Sequence, residues 1–301
     1  MGRTEEHQQS SQQVRPHPLR SFVLFLETIK IEHTVFALPF AYMTLFLASP
    51  VPPLLHHFIW ISVAMAGSRV FAMGVNRIID ARIDAANPRT AYRAMASGQL
   101  HLREAWIFSL TAATFFLIAV FQLSHLSQLL WPFVLLAMVI YPYGKRFTWL
   151  CHLGLGSIYL MVPTGVWIAV HNTLSTGSVI LATGAALWVI GFDLIYACQD
   201  VEVDRREGLH SIPERFGIGS GLWVSRICHI IALVCLGGAG FILDVGFLYY
   251  LGVTISGFIL AYEHHLVSPN DLRRLNAAFF SMNGIMSIIF SLFAIADTII
   301  R

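Results

Sequence analysis

The sequence predicts an all-α integral membrane protein, with nine membrane-crossing helices in two four-helix repeats plus a ninth, built around a central lipid-accessible cavity. Three observations predict it. Of the 301 residues, 56% are hydrophobic and 12% charged, about half the charged share of a soluble domain, and mean hydropathy is +0.67. Apolar runs of about 20 residues, the length that spans a bilayer core, recur along the chain. Lys and Arg fall in alternate gaps between those runs.

In chain order, residues 1–20 are polar and Gln-rich with no apolar core, so they read as a disordered cytoplasmic tail rather than a cleaved signal. Residues 21–301 read as one transmembrane domain. Its predicted spans cover roughly 22–48, 53–76, 103–122, 126–144, 150–171, 175–199, 218–243, 246–266 and 277–300. Repeat one runs from about 22 to 144, repeat two from about 150 to 266, and the ninth helix follows. Turn-forming stretches separate the runs: "SPVPP" at 49–53, "HNTLSTG" at 171–177 and "SPND" at 268–271. Glu27, Lys30, Glu32 and His33 precede Pro39 in the first run and read as an interfacial amphipathic start, with Lys30 a candidate phosphate contact.

With the N-terminus in the cytoplasm, the gaps on that side hold twelve Lys/Arg, from Arg77 and Arg82 through Arg273 and Arg274, and the four opposite loops hold none. Such asymmetry is the positive-inside pattern. The loop arginines Arg89, Arg93, Arg205 and Arg206 serve this orientation and contact with anionic lipid. The net charge of +2, with its basic residues in small scattered groups, does not indicate nucleic-acid binding.

Two of the cytoplasmic span ends carry carboxylates. Asp80 and Asp84 close the second span, and Asp200 and Asp204 close the sixth, 120 residues later. Offsetting span two by the same distance gives span six, and span four gives span eight, which is the basis for two parallel repeats. Helical residues four apart share a face, so Asn76, Asp80 and Asp84 form one predicted stripe. Seven residues is nearly two turns, so Asp193, Asp200 and Asp204 form another.

Clustered carboxylates repel unless a cation lies between them. Mg²⁺ prefers hard oxygen ligands and commonly combines one or two carboxylates with substrate phosphates. The nearby arginines and Lys145 suit diphosphate oxygens, which arginine grips with two parallel donors. A diphosphate on a lipid tail would sit with its head at this depth and its chain among the helices.

The blocks "N76-x3-D80-x3-D84", "R89-T-A-x-R93-x3-S97-G98", "Y141-P-x2-K145-R146-x-T148" and "D193-x2-Y196-A197-x2-D200-x3-D204" resemble the UbiA prenyltransferase superfamily, in the family's order and across about 25–300. The likeness is greatest to the 4-hydroxybenzoate polyprenyltransferases of quinone biosynthesis, a branch in which some members use a dihydroxynaphthoate of a menaquinone route. Arg77 departs from the pattern, since many members have Asp there.

The resemblance implies Mg²⁺-dependent transfer of a polyprenyl group from its diphosphate to an aromatic acid at the cytoplasmic face of a bacterial inner membrane. One Mg²⁺ would be held by Asn76, Asp80 and Asp84 and another by Asp200 and Asp204. Lys145, Arg146, Arg77 and Arg82 would contact diphosphate, with Lys145 also a catalytic group, and His210 a further candidate. Asp193 and Tyr196 would orient the acceptor or take its ring proton. Arg69, two turns deeper than Asn76, where an unpaired charge is expensive, either pairs with Asp193 or receives the carboxylate of the aromatic acid.

Other features read as packing. Cys151, Cys198, Cys228 and Cys235 form no C-x-x-C pair and behave as small hydrophobes, and the thirteen histidines show no zinc spacing. His56-His57 are interfacial, while His264-His265 lie at a cytoplasmic span end. A transporter is the rival from another class, yet transporter sites favour broken helices at the midplane. A CDP-alcohol phosphotransferase would need a D-G-x2-A-R block, which is absent.

Overall fold

The computed structural model describes residues 18–29 and 37–301. Its regular structure is helical: α1 Pro18–Ile29, α2 Leu38–Ala48, α3 Leu55–Ala86, α4 Leu102–Phe121, α5 His125–Ile140, α6 Cys151–His171, α7 Thr176–Ala197, α8 Val201–Glu207, α9 Ile212–Phe216, α10 Ile218–Ile242, α11 Phe247–Leu266 and α12 Asn283–Ile300. A 3₁₀ segment, Tyr141–Arg146, follows α5, and a π-helical turn, Ala277–Met282, leads into α12. No strand forms among the described residues beyond an isolated bridge between Ser268 and Asp271.

Seven of these segments are long and apolar enough to cross a membrane: α3, α4, α5 with its 3₁₀ extension, α6, α7, α10, and α12 with its π-turn. Each coincides with a predicted span. The eighth predicted span is α11, 20 residues long; its tyrosines and its Glu263-His264-His265 end make it less apolar than the seven. Within the first predicted span the described residues form two helices, α1 and α2. α1 packs against α3 and α4, where Ser21 donates to Glu104 at 2.8 Å and Phe25 lies 5.2 Å from Phe108. α2 packs chiefly against α6 and α12, and also touches α3, where Tyr42 stacks on Phe58 at 4.9 Å. Residues 1–17 and 30–36 lie outside the described residues, and with them most of the predicted tail, Lys30, Glu32 and His33.

Local chemistry sets the helix ends that matter here. α3 has 32 residues, so at 1.5 Å per residue it is about 48 Å long, well beyond a hydrocarbon core of about 30 Å. Pro88 stops it by excluding helical backbone at the preceding residue; Asn87 is extended, with ψ 116°. Pro142 likewise cannot continue the hydrogen-bond ladder of α5, and the chain tightens into the 3₁₀ segment that carries Lys145 and Arg146.

α7 is the central helix. Its most apolar stretch is 72% buried within the protein, against 11% for α5 at the periphery. Small residues such as Ala182, Gly184, Ala185 and Gly191 let neighbours approach it from several sides. Phe40 of α2 stacks on Trp188 of α7 at 5.0 Å, and Trp188 Nε1 donates to Asn283 Oδ1 at 2.7 Å. α3 and α4 meet closely at Gly67, where a Cβ would lie 2.8 Å from backbone atoms of Ala112 and Phe116.

One expectation fails. α7 ends at Ala197, and Asp200 starts α8 as its N-cap residue with φ −102° and ψ 0°. Asp193, Asp200 and Asp204 therefore do not form a stripe on one continuous helix; a turn at Cys198–Asp200 separates the first from the others.

Candidate active site

The site begins at the end of α3. Asp80 and Asp84, one turn apart, are 3% and 8% exposed, and buried carboxylates need partners. Asp80 accepts from Lys145 Nζ at 2.6 Å on Oδ2 and from Arg146 Nη2 at 3.0 Å on Oδ1. Both donors come from the 3₁₀ segment that Pro142 creates. Asp84 accepts from Arg93 Nη1 at 2.7 Å, with Arg77 Nη1 3.6 Å away. Arg77 Nε also donates to the Thr28 carbonyl at 3.2 Å.

The second carboxylate pair faces the first across a cavity of about 290 Å³. Asp200 accepts two bonds from Arg89, from Nη2 at 2.6 Å and Nε at 3.2 Å, and one from Asn87 Nδ2 at 3.0 Å. Arg89 Nη1 also donates to the Tyr196 hydroxyl at 2.6 Å, and its guanidinium carbon lies 5.0 Å from that ring's centre. Burial opposes the Arg89 charge, but Tyr196 and Asp200 outweigh it and hold the guanidinium above its ordinary pKa. Among the described residues the Asp204 carboxylate has only a long bond from Ser211, at 3.4 Å. Burial first, and the Asp200 charge second, push its carboxyl up to about 6.

Asn76, Arg77, Asp80, Asp84, Asn87, Arg89, Arg93, Lys145, Asp193, Tyr196, Asp200 and Asp204 all line this cavity. Arg69, Met73, Tyr141, Leu155 and Tyr159 line it too, and they also line a second, mostly apolar cavity of about 300 Å³ between α3, α4, α5 and α6. Arg69 thus stands at the junction of a charged chamber and a greasy one, its Nε buried without a hydrogen-bond partner among the described residues.

The other sequence candidates are placed as follows. Arg82 is exposed and outside the cavity lining, because two residues beyond Asp80 a helix has turned roughly 200°. Arg146 reaches Asp80 from outside the lining and also donates to the carbonyls of Pro142 and Ile79. The His210 side chain is outside the lining, but its backbone N–H donates to the Lys145 carbonyl at 2.7 Å and its own carbonyl accepts from Cys151 Sγ. Asp193 is paired with His152 at 2.6 Å rather than with Arg69.

Sequence reasoning passed over Asn87 and His152, and it read Arg89 and Arg93 as orientation signals. The basic pair does sit inside a quoted motif, but nothing in its spacing says which carboxylate each arginine meets. His152 gives no sequence signal at all, since its partner is 41 residues away.

The lining fits a hard divalent cation that takes one or two carboxylates from the protein and completes its shell with phosphate oxygens. The two carboxylate pairs, Asp80–Asp84 and Asp200–Asp204, and the Asn76 amide oxygen all lie on one cavity. It does not fit an all-protein cage: among the described residues no three acidic, His or Cys side chains converge on one point.

Residues 37–285 match the UbiA prenyltransferase family. The chain is 32% identical over 215 residues to the 4-hydroxybenzoate octaprenyltransferase of Vibrio cholerae serotype O1, covering 69% of this chain and 73% of that protein. It is 27% identical over 251 residues to the enzyme of the same name from Klebsiella pneumoniae, covering 82% and 85%. Among solved structures, a UbiA homolog from Aeropyrum pernix K1 in its apo form superposes with a TM-score of 0.80 at 31% identity, covering 89% of this chain and 98% of that one. A UbiA homolog from Archaeoglobus fulgidus, bound to GPP and Mg²⁺, shares the fold with a TM-score of 0.69 at 17% identity, covering 91% and 99%.

Proposed function

This chain belongs to the UbiA prenyltransferase family, and from that premise we propose that it transfers a polyprenyl group from an allylic polyprenyl diphosphate to the ring of 4-hydroxybenzoate, in a quinone-forming pathway. The observation that carries the reading is the single cavity on which two carboxylate pairs and the cations Arg77, Arg89, Arg93 and Lys145 converge, joined to an apolar chamber at Arg69. The names of the relatives supply the acceptor.

In this reaction the bond between the allylic carbon and the diphosphate oxygen breaks, and a bond forms from that carbon to a ring carbon of the acceptor. The ring proton leaves to a base, and diphosphate is released. Mg²⁺ would be held by Asp80 and Asp84, with Asn76, on one side and by Asp200 and Asp204 on the other; when bound it supplies positive charge against the charge building on the leaving group. Lys145 and Arg77 contact the diphosphate oxygens, and Arg146 holds Asp80 in place behind them. Arg89 and Arg93, which now hold Asp200 and Asp84, are candidates to swing to the diphosphate. The apolar chamber takes the prenyl chain and keeps water from the allylic cation, while the rings of Tyr141 and Tyr159 stand near enough to favour a positive charge. Arg69 receives the acceptor carboxylate, and Asp193 with Tyr196 orients the acceptor hydroxyl or takes the ring proton.

The reading also keeps nine crossings in two parallel repeats, with the N-terminus and the site on the cytoplasmic side of the inner membrane. It is supported by the twelve Lys/Arg of the alternate gaps and by the two acidic pairs near the ends of α3 and α7.

The purified chain, incubated with Mg²⁺, geranyl diphosphate and either 4-hydroxybenzoate or a dihydroxynaphthoate, should yield a prenylated benzoate by mass spectrometry. Product from the naphthoate alone, or from neither, would overturn the acceptor assignment.

A further inference from the structure

His152 is used by nothing in the scheme above, yet it is bound to a group that is. It lies in the first turn of α6, only 3% exposed, and its Nδ1 is 2.6 Å from Asp193 Oδ2 on α7. Nε2 is buried with no hydrogen-bond partner among the described residues. A carboxylate oxygen has no hydrogen to give, so the hydrogen of this contact sits on Nδ1. The ring therefore donates and Asp193 accepts.

The packing fixes this contact. One turn along α6, Gly156 lies against Ile190 of α7, where a Cβ would be 2.6 Å from the Ile190 side chain. The two helices are thus held at a separation that puts an imidazole of α6 within reach of a carboxylate of α7. Asp193 itself is 27% exposed at its side chain and lines the charged cavity. Its Oδ1 has no hydrogen bond among the described residues, so one oxygen is spoken for and the other is available.

We propose that His152 is a positioning residue for Asp193: its Nδ1–H holds Oδ2 and the carboxylate rotamer, leaving Oδ1 as the single acceptor offered to the hydroxyl of the aromatic substrate. The proposal rests on the acceptor role given to Asp193 above. A buried donor that sets a carboxylate in this way acts on the acceptor half of the reaction and leaves the diphosphate half untouched, because Lys145, Arg77 and the four metal-site aspartates do not contact it.

The test is steady-state kinetics of the full chain in detergent with Mg²⁺, geranyl diphosphate and 4-hydroxybenzoate. His152→Ala should lower kcat/KM for the benzoate about tenfold or more, the scale of one lost hydrogen bond to a charged group, while the KM for geranyl diphosphate stays within about twofold. His152→Gln, which keeps an amide donor without an imidazole, should recover most of the loss. In an Asp193→Asn background, His152→Ala should add little further loss, because the two act as one unit. A benzoate kcat/KM unchanged in His152→Ala would overturn the proposal. So would a loss that falls equally on both substrates, is not recovered by Gln and tracks a lowered melting temperature. Wild-type protein that forms no prenylated benzoate would instead overturn the acceptor reading itself, and the proposal with it.

Discussion

Arg89 and Asp200 are 111 residues apart in sequence and joined by two hydrogen bonds, from Nη2 at 2.6 Å and Nε at 3.2 Å. The fork ties the loop after α3 to the turn after α7, so the two carboxylate pairs are locked across the cavity before any substrate enters. The same guanidinium reaches Tyr196, giving it a planar set of contacts that an ammonium cannot copy. Arg89→Lys should therefore behave as a loss, not a conservative change. We expect kcat/KM for the prenyl diphosphate to fall about 10- to 100-fold in Arg89→Ala and to recover only in part in Arg89→Lys, measured by initial rates at fixed Mg²⁺.

The carboxylates should report on the metal. Asp80→Asn, Asp84→Asn, Asp200→Asn and Asp204→Asn each remove a charge from the shared cavity while keeping side-chain size. Each should raise the Mg²⁺ concentration needed for half-maximal rate, and a chelator should abolish turnover by the wild type. Turnover that survives chelation would remove the metal from the scheme.

Arg69 offers a sharper test of substrate placement. It sits where the charged and apolar cavities meet, with a buried Nε lacking a partner among the described residues, and Asp193 turns Oδ2 to His152. If Arg69 grips the acceptor carboxylate, Arg69→Gln should raise the KM for 4-hydroxybenzoate about tenfold or more, the cost of one charge-assisted bond, and leave that for geranyl diphosphate near its original value. An unchanged acceptor KM would end this assignment.

Packing between α3 and α4 makes a prediction about stability. A methyl group on Gly67 would sit 2.8 Å from the Ala112 carbonyl oxygen and the Phe116 nitrogen, both backbone atoms that cannot rotate away. Gly67→Ala should therefore destabilise the protein by roughly 1–3 kcal/mol, as overpacking does. Gly238→Ala is the control: a Cβ there meets nothing within 4 Å, and alanine is the better helix former by about 1 kcal/mol. Melting in detergent should drop for the first and hold or rise for the second.

Much of the protein was legible in its sequence because the relevant physics is local. Hydropathy over about 20 residues marks a membrane span without regard to neighbours, so seven predicted spans coincide with long apolar helices. Asp80 and Asp84 had to share a face because α3 is continuous through both, and a period of 3.6 then leaves no choice. Pro88 and Pro142 stop α3 and α5 by an equally local backbone restriction, at Ala86 and Ile140 rather than at the predicted 76 and 144. The break after Ala197 carried no such mark: Cys198, Gln199 and Asp200 include neither Pro nor Gly, and the turn forms all the same.

Which charge meets which was settled by packing between helices. Lys145 and Arg146 on Asp80, Arg93 on Asp84, Arg89 on Asp200 and His152 on Asp193 span separations of 9 to 111 residues. Long flexible side chains on different helices find partners according to helix separation and rotation. Those are set by contacts summed over the whole bundle, such as Gly67 against α4 and Gly156 against α7. Local sequence was enough to gather acidic and basic groups where the helices end; the packing of glycines and aromatic rings deeper in the bundle set how they pair.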